Sequence, residues 1–200
     1  MKKPVCTVVL ILINVAVFLA LSFLGMTEDA GFMVEHGAMF APYITEYKEY
    51  YRIFTSMFLH FGAGHLMNNM IMLAAAGGPL EREVGKGKFL AIYFASGTGG
   101  ALLSLWADIY TGEYAVAAGA SGAIFGLIGA MLYIAIRNHG TIGDISGRGL
   151  VLMIAISLYF GYVSGGVDNT AHIGGLLSGA ILAVLLYRKG EREHGSVSGF

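Results

Sequence analysis

Six long runs without a single Asp, Glu, Lys or Arg divide this chain: residues 5–24, 53–80, 89–107, 115–136, 149–167 and 169–187. A helix needs roughly 20 consecutive apolar residues to cross a hydrocarbon core. Backbone polar groups in lipid must find partners within the protein, which restricts spanning structures to helices and closed barrels. Continuous runs of this length predict helices. The expected fold is all-α: a polytopic membrane bundle of six helices, with spans at about 5–24, 61–80, 89–107, 118–136, 149–167 and 170–187. The second run is too long for one helix, so its start is assigned to an external loop, 25–55, and residues 1–200 are read as a single membrane domain. Composition supports this, because 12% charged residues is half of the roughly 25% typical of soluble domains.

Lys2 and Lys3 precede the first run, as in a secretory signal peptide. An uncharged run of 20 residues exceeds the usual signal core, and no small-residue cleavage site stands out, so it is read as a retained span. Orientation follows the bias of basic residues toward the cytoplasm. With the N-terminus inside, Lys2, Lys3, Arg82, Lys86, Lys88, Arg137, Arg148, Arg188, Lys189 and Arg192 fall inside, 10 of the 12 Lys and Arg, and only Lys48 and Arg52 fall outside. Both termini are expected in the cytoplasm, and a six-span core without an added domain fits a prokaryotic inner membrane. The external loop mixes Glu28, Asp29, Glu35, Glu46 and Glu49 with many aromatics, a composition suited to lying in the membrane interface. The tail 190–200 is polar and expected to fray.

A net charge of −1 supplies no basic field for nucleic acid. The single cysteine, Cys6, excludes an internal disulfide framework and a cysteine-based zinc site. His65 and His172 lack a nearby thiol or carboxylate and make a poor zinc set, so neither metal nor cofactor is expected.

Polar residues inside membrane helices are costly and tend to face a cavity with a function. His65 and Asn69 lie early in the second span, Ser121 early in the fourth and His172 early in the sixth. These three spans run in the same direction, so all four residues belong to the outer half of the membrane. Ser121 sits between Gly119 and Gly122, and Gly122 with Gly126 makes a GxxxG face suited to close helix packing. His172 is followed at i+3 and i+7 by Gly175 and Gly179. Two glycine faces can bring spans four and six close enough for a histidine to act as general base on a serine. Phe125, one turn below Ser121, can pack under the His172 ring. Each residue also has a plainer reading. Ser121 can be a packing residue, His172 a conduction residue, and His65 and Asn69 braces for the loop. Asn68 points about 100° from Asn69 on an ideal helix and reads as structural. His60 reads as a loop brace, and His36, His139 and His194 belong to no constellation. Asp108, Glu113 and Asp168 read as solvated loop acids.

The segments Gly119-Ala-Ser-Gly122, Ala171-His-Ile-Gly-Gly175 and His65-Leu-Met-Asn-Asn69 together resemble the rhomboid intramembrane serine proteases. The likeness is carried mainly by residues 50–179. Tyr51-Arg52 resembles the family's Trp-Arg pair in the first external loop, with tyrosine in place of tryptophan. Glu81-Arg82-Glu83 departs from the family's Glu-x-Arg pattern by one position. The resemblance implies a rhomboid-like six-helix bundle with Ser121 as nucleophile and His172 as its base. It implies Asn69, His65 and the Ser121 N–H as oxyanion donors, Phe125 stacked on the histidine, and Arg52 as a structural residue. The implied partners are transmembrane protein substrates within the lipid bilayer, and the site opens to the extracytoplasmic side. Two other classes stay open: a catalytically silent, client-binding relative, and a small proton-coupled transporter built on the intramembrane histidines.

Overall fold

The computed structural model describes residues 3–188. The expectations for Lys2, Lys189, Arg192, His194 and the tail 190–200 lie outside the described residues. The chain folds into nine helices among the described residues: α1 (Val5–Leu24), α2 (Ala30–Glu35), α3 (Ala41–Thr45), α4 (Arg52–Thr55), α5 (Gly62–Val84), α6 (Lys86–Thr111), α7 (Ser121–Arg137), α8 (Gly147–Ser164) and α9 (Asn169–Leu186). The architecture is helical apart from a small antiparallel hairpin between α7 and α8, β1 (Thr141–Ile142) with β2 (Ile145–Ser146). The loop between α1 and α5, read above as external, is not irregular. It carries α2, α3, α4 and the 3₁₀ turn Ser56–Phe58. By length and composition α1, α6, α8 and α9 can each cross a membrane, and α7 is a shorter apolar helix. Their outward faces carry exposed large apolar side chains such as Phe23, Trp106, Phe160 and Leu185, a surface suited to lipid.

The described α1 has the bounds expected from sequence. Pro4, at its N-cap, has no side chain able to cap a helix. The orphan N–H groups of that end are met instead by Glu81 of α5. Its carboxylate accepts from Cys6 N at 2.9 Å, Thr7 N at 2.8 Å and Thr7 Oγ1 at 2.8 Å. Directly after α9, the Tyr187 hydroxyl lies 3.2 Å from Glu83 Oε1 and 2.8 Å from Asn138 Nδ2. The Glu81-Arg82-Glu83 segment thus ties α5 to the start of α1 and to the residue that follows α9.

The central element is α7, buried along nearly its whole length and packed most extensively against α9 and α6. Glycine permits this. A Cβ on Gly175 would overlap the Gly122 carbonyl oxygen, one on Gly179 the Gly126 carbonyl oxygen, and one on Gly129 the Leu176 carbonyl oxygen. The two helices therefore touch backbone to backbone over two turns. Gly100 brings α6 into the same cluster, where a Cβ would lie 2.6 Å from Ala171 O. In contrast, α8 buries only Leu150 and Gly161, and Asn169 Nδ2 donates to Leu158 O at 2.9 Å to tie it to α9.

Gly179→Val is expected to destabilise the protein by about 3 kcal/mol or more, the upper end of overpacking costs, because backbone cannot yield as a side chain does. Gly64, whose Cβ would meet nothing within 4 Å, provides the control. Gly64→Ala should leave the thermal midpoint in detergent unchanged or slightly raised.

Candidate active site

Ser121 is the first residue of α7, and the helix's first hydrogen bond runs from Ile124 N to Ala120 O at 3.0 Å. The N–H groups of Ser121, Gly122 and Ala123 therefore have no intrahelical acceptor. The apolar run continues upstream, but the helix does not. Ala117 exchanges hydrogen bonds with Met39 at 2.8 and 2.9 Å, and Gly119 N donates to Ser56 O at 2.9 Å. This lead-in, held by the loop between α1 and α5, moves the helix start to Ser121 from the expected 118. Gly119 has φ +135°, and a Cβ there would stand 2.9 Å from the His65 ring. Glycine is needed on both counts. The His65 imidazole thus lies against the backbone two residues before Ser121.

His172 is in the first turn of α9, buried, with its ring stacked on Phe125 at 4.2 Å between centroids and 7° between planes. Phe125 lies one turn below Ser121 on α7, so one aromatic side chain links the two helices and holds the imidazole plane. His172 Nδ1 is buried with no hydrogen-bond partner among the described residues. No hydrogen bond joins Ser121 to His172 among the described residues. Such bonds are commonly long before substrate binds.

Asn69 is buried, and its Nδ2 donates to the His65 carbonyl at 3.0 Å. That bond uses one of two amide hydrogens and leaves the other available. His65, Asn69, Ser121 and His172 all line a cavity of about 400 Å³. A second cavity of about 310 Å³ shares Asn69, Ser121 and His172 and extends to Phe160 and Gly161 of α8. A third, much smaller pocket of about 40 Å³ lies beside Ser121, among Met57, Gly97, Ala101 and Ala118. The four polar residues singled out on three separate helices thus share one concave surface.

Several sequence expectations change. Asn68, read as structural, lines both larger cavities beside Asn69. Asp168, read as a solvated acid, caps α9: its Oδ1 accepts from Ala171 N at 2.8 Å and its Oδ2 from Ser104 Oγ at 2.5 Å. The signal was present, since Asp directly before an apolar run marks a helix N-cap. Asp108 lies within α6 and is half-buried, not in a loop. His60 is fully buried and edge-on to His65, 5.2 Å between ring centroids. Among the described residues no group of three or more His, Cys, Asp and Glu could hold a metal ion.

Arg52 organises the loop between α1 and α5. Its guanidinium is buried, donates to the carbonyls of Val34 (2.5 Å) and Ala38 (3.0 Å), and pairs with Glu49 at 2.6 Å. Tyr43 covers it at 4.7 Å. The same loop supplies Met39 and Ser56 to the lead-in before Ser121, which connects Arg52 to the site at one remove.

A sequence profile of the Rhomboid domain matches residues 47–189. The chain belongs to the rhomboid family. It is 36% identical over 184 residues to rhomboid protease GluP of Bacillus subtilis, covering 92% of this chain and 35% of that protein. It is 32% identical over 146 residues to the putative rhomboid protease YdcA of the same organism, covering 73% of this chain and 72% of that protein. Against rhomboid protease AarA of Providencia stuartii the identity is 37% over 158 residues, 68% of this chain and 56% of that protein. The chain thus spans about a third of GluP and over half of AarA. With its apolar helices, this rhomboid is an integral membrane protein whose relatives include named proteases.

In this rhomboid the Arg52 hydrogen bond holds the Glu49 carboxyl below its ordinary value of 4.5. A depressed folded-state value means the pair's contribution is fully present above about pH 4.5 and is lost as pH falls through the lowered value. Hydrogen exchange of residues 30–55 is expected to speed up below that point in the wild type. Arg52→Ala should expose the same segment at neutral pH, because the buried Val34 and Ala38 carbonyls lose their donor at a cost of about 1–3 kcal/mol.

Proposed function

We propose that this rhomboid is an intramembrane serine endopeptidase acting on transmembrane segments of other proteins. Ser121 Oγ attacks a substrate carbonyl carbon while His172 takes its proton. The developing oxyanion is met by the Ser121 N–H, the Asn69 amide and the His65 ring. His172 then protonates the leaving amine, and a water, deprotonated by His172, hydrolyses the acyl-enzyme and restores the serine. The observation that carries this reading is the convergence of Ser121, His172, Asn69 and His65 on one cavity, with Phe125 stacked on the histidine.

The same reading assigns residues 1–200 to one membrane domain with α1, α5, α6, α7, α8 and α9 as six spans. Both termini are then cytoplasmic, the site opens outward, and a prokaryotic inner membrane is the setting. The sparse packing of α8 and the cavity reaching Phe160 and Gly161 favour substrate entry along α8 over entry beneath the external loop. Substrate helices must unwind locally, because a helical carbonyl is already hydrogen-bonded.

A fluorescent fluorophosphonate tests the nucleophile. Wild type in detergent is expected to label, Ser121→Ala to lose all labelling, and His172→Ala to label at least about 100-fold more slowly, the usual worth of a general base. Undiminished labelling of Ser121→Ala would refute the assignment. So would a folded wild type that neither labels nor cleaves a transmembrane substrate in liposomes, which would favour the silent, client-binding alternative.

A further inference from the structure

We infer that Asp168 is a positioning residue for His172, locking the first turn of α9 to α6 and biasing the charge of the imidazole; this rests on the serine-protease reading above.

The chain enters α9 from Gly165 and Gly166, both at φ +67°. Such a lead-in does little to fix where the helix begins. Asp168 fixes it. One carboxylate oxygen takes the Ala171 N–H of the first turn, and the other takes the hydroxyl of Ser104, a buried residue of α6. The Asp168 carbonyl accepts from His172 N at 3.2 Å. The backbone of His172 is therefore held by Asp168, and Asp168 is held in turn by a neighbouring helix. A serine or threonine cap has a single side-chain oxygen, whereas the two carboxylate oxygens here each take a donor, one from α9 and one from α6.

Asp168 also lines two of the three cavities that Ser121 borders. A carboxylate one turn from the imidazole favours the protonated ring that forms when the serine gives up its proton. The other titratable groups at this end are His65 from α5 and Asp108 from α6, the latter beside Asp168. On the site side α7 presents Ser121 and Phe125 and α8 presents Ser157, Phe160 and Ser164, with no charged group from either. Where a serine–histidine–aspartate triad orients its histidine by direct contact, this arrangement does so through a helix cap.

The test uses the full chain in liposomes with a transmembrane substrate, comparing wild type, Asp168→Asn, Asp168→Ala and Ser104→Ala. Kinetic constants, pH profiles and thermal midpoints are measured for each. Asparagine keeps a competent cap and removes the charge. Asp168→Asn is expected to fold, keep KM within about twofold and move the acid limb of kcat to lower pH by about half a unit or more. Ser104→Ala keeps the charge, so its acid limb stays in place while kcat falls about threefold, and Asp168→Ala loses at least about tenfold in kcat through misplacement of the histidine. Wild-type kcat and an unmoved limb in both Asp168 variants would overturn the inference. An unmoved limb with kcat falling only in step with the thermal midpoint would also overturn it, leaving a purely structural cap. A wild type that neither labels nor cleaves defeats the protease reading itself, an outcome distinct from either.

Discussion

Backbone contact between α7 and α9 governs this molecule. In lipid there is no hydrophobic drive to press one apolar helix on another, so close approach rests on packing of small residues. Gly122 against Gly175 and Gly126 against Gly179 reduce the separation until main chains meet. Ser121 stands just above the first contact on α7 and His172 just above it on α9. Both side chains are therefore carried to the same place by the same glycines. Were either glycine pair replaced, the residues at the helix tops would move apart together, and the Phe125 stack on His172 would open with them.

Polar side chains then secure the ends that glycine packing leaves open. Pro4 gives α1 no cap, and Glu81 reaches across from α5 to supply one. The glycines before α9 leave its start undefined, and Asp168 defines it with help from Ser104. In each case a carboxylate accepts from a helix N-terminus, where the dipole favours negative charge, and a second element holds it in place. α8 has few such ties: Asn169 donates to one of its carbonyls, and most of its surface is exposed. Few buried contacts mark the segments that open most readily, which fits movement at α8 rather than in the core.

The long apolar helices were legible because charge-free runs stand out directly in sequence, and α1 needed nothing more than its Pro4 and Gly25 boundaries. The start of α7 was less so. Residues 115–120 are as apolar as the helix, yet hydrogen bonds to Met39 and Ser56 hold this stretch out of it, and nothing in its composition announces a partner 60 to 80 residues upstream. Ser121, His172, His65 and Asn69 could be grouped from span direction alone. Asn68 could not, because a helical wheel gives direction but not the width of the cavity. Asp168 carried an N-cap signal, an acid directly before an apolar run, but nothing in the sequence pointed to Ser104, 64 residues upstream, as its second partner.

The most direct test of the account is the structure of the protein after reaction with a fluorophosphonate. The phosphorus should be bonded to Ser121 Oγ, with a phosphoryl oxygen within hydrogen-bond reach of the Ser121 N–H, the Asn69 amide and the His65 ring. The His172 ring should remain stacked on Phe125. An adduct on another residue, or a phosphoryl oxygen turned away from Asn69 and His65, would contradict the account.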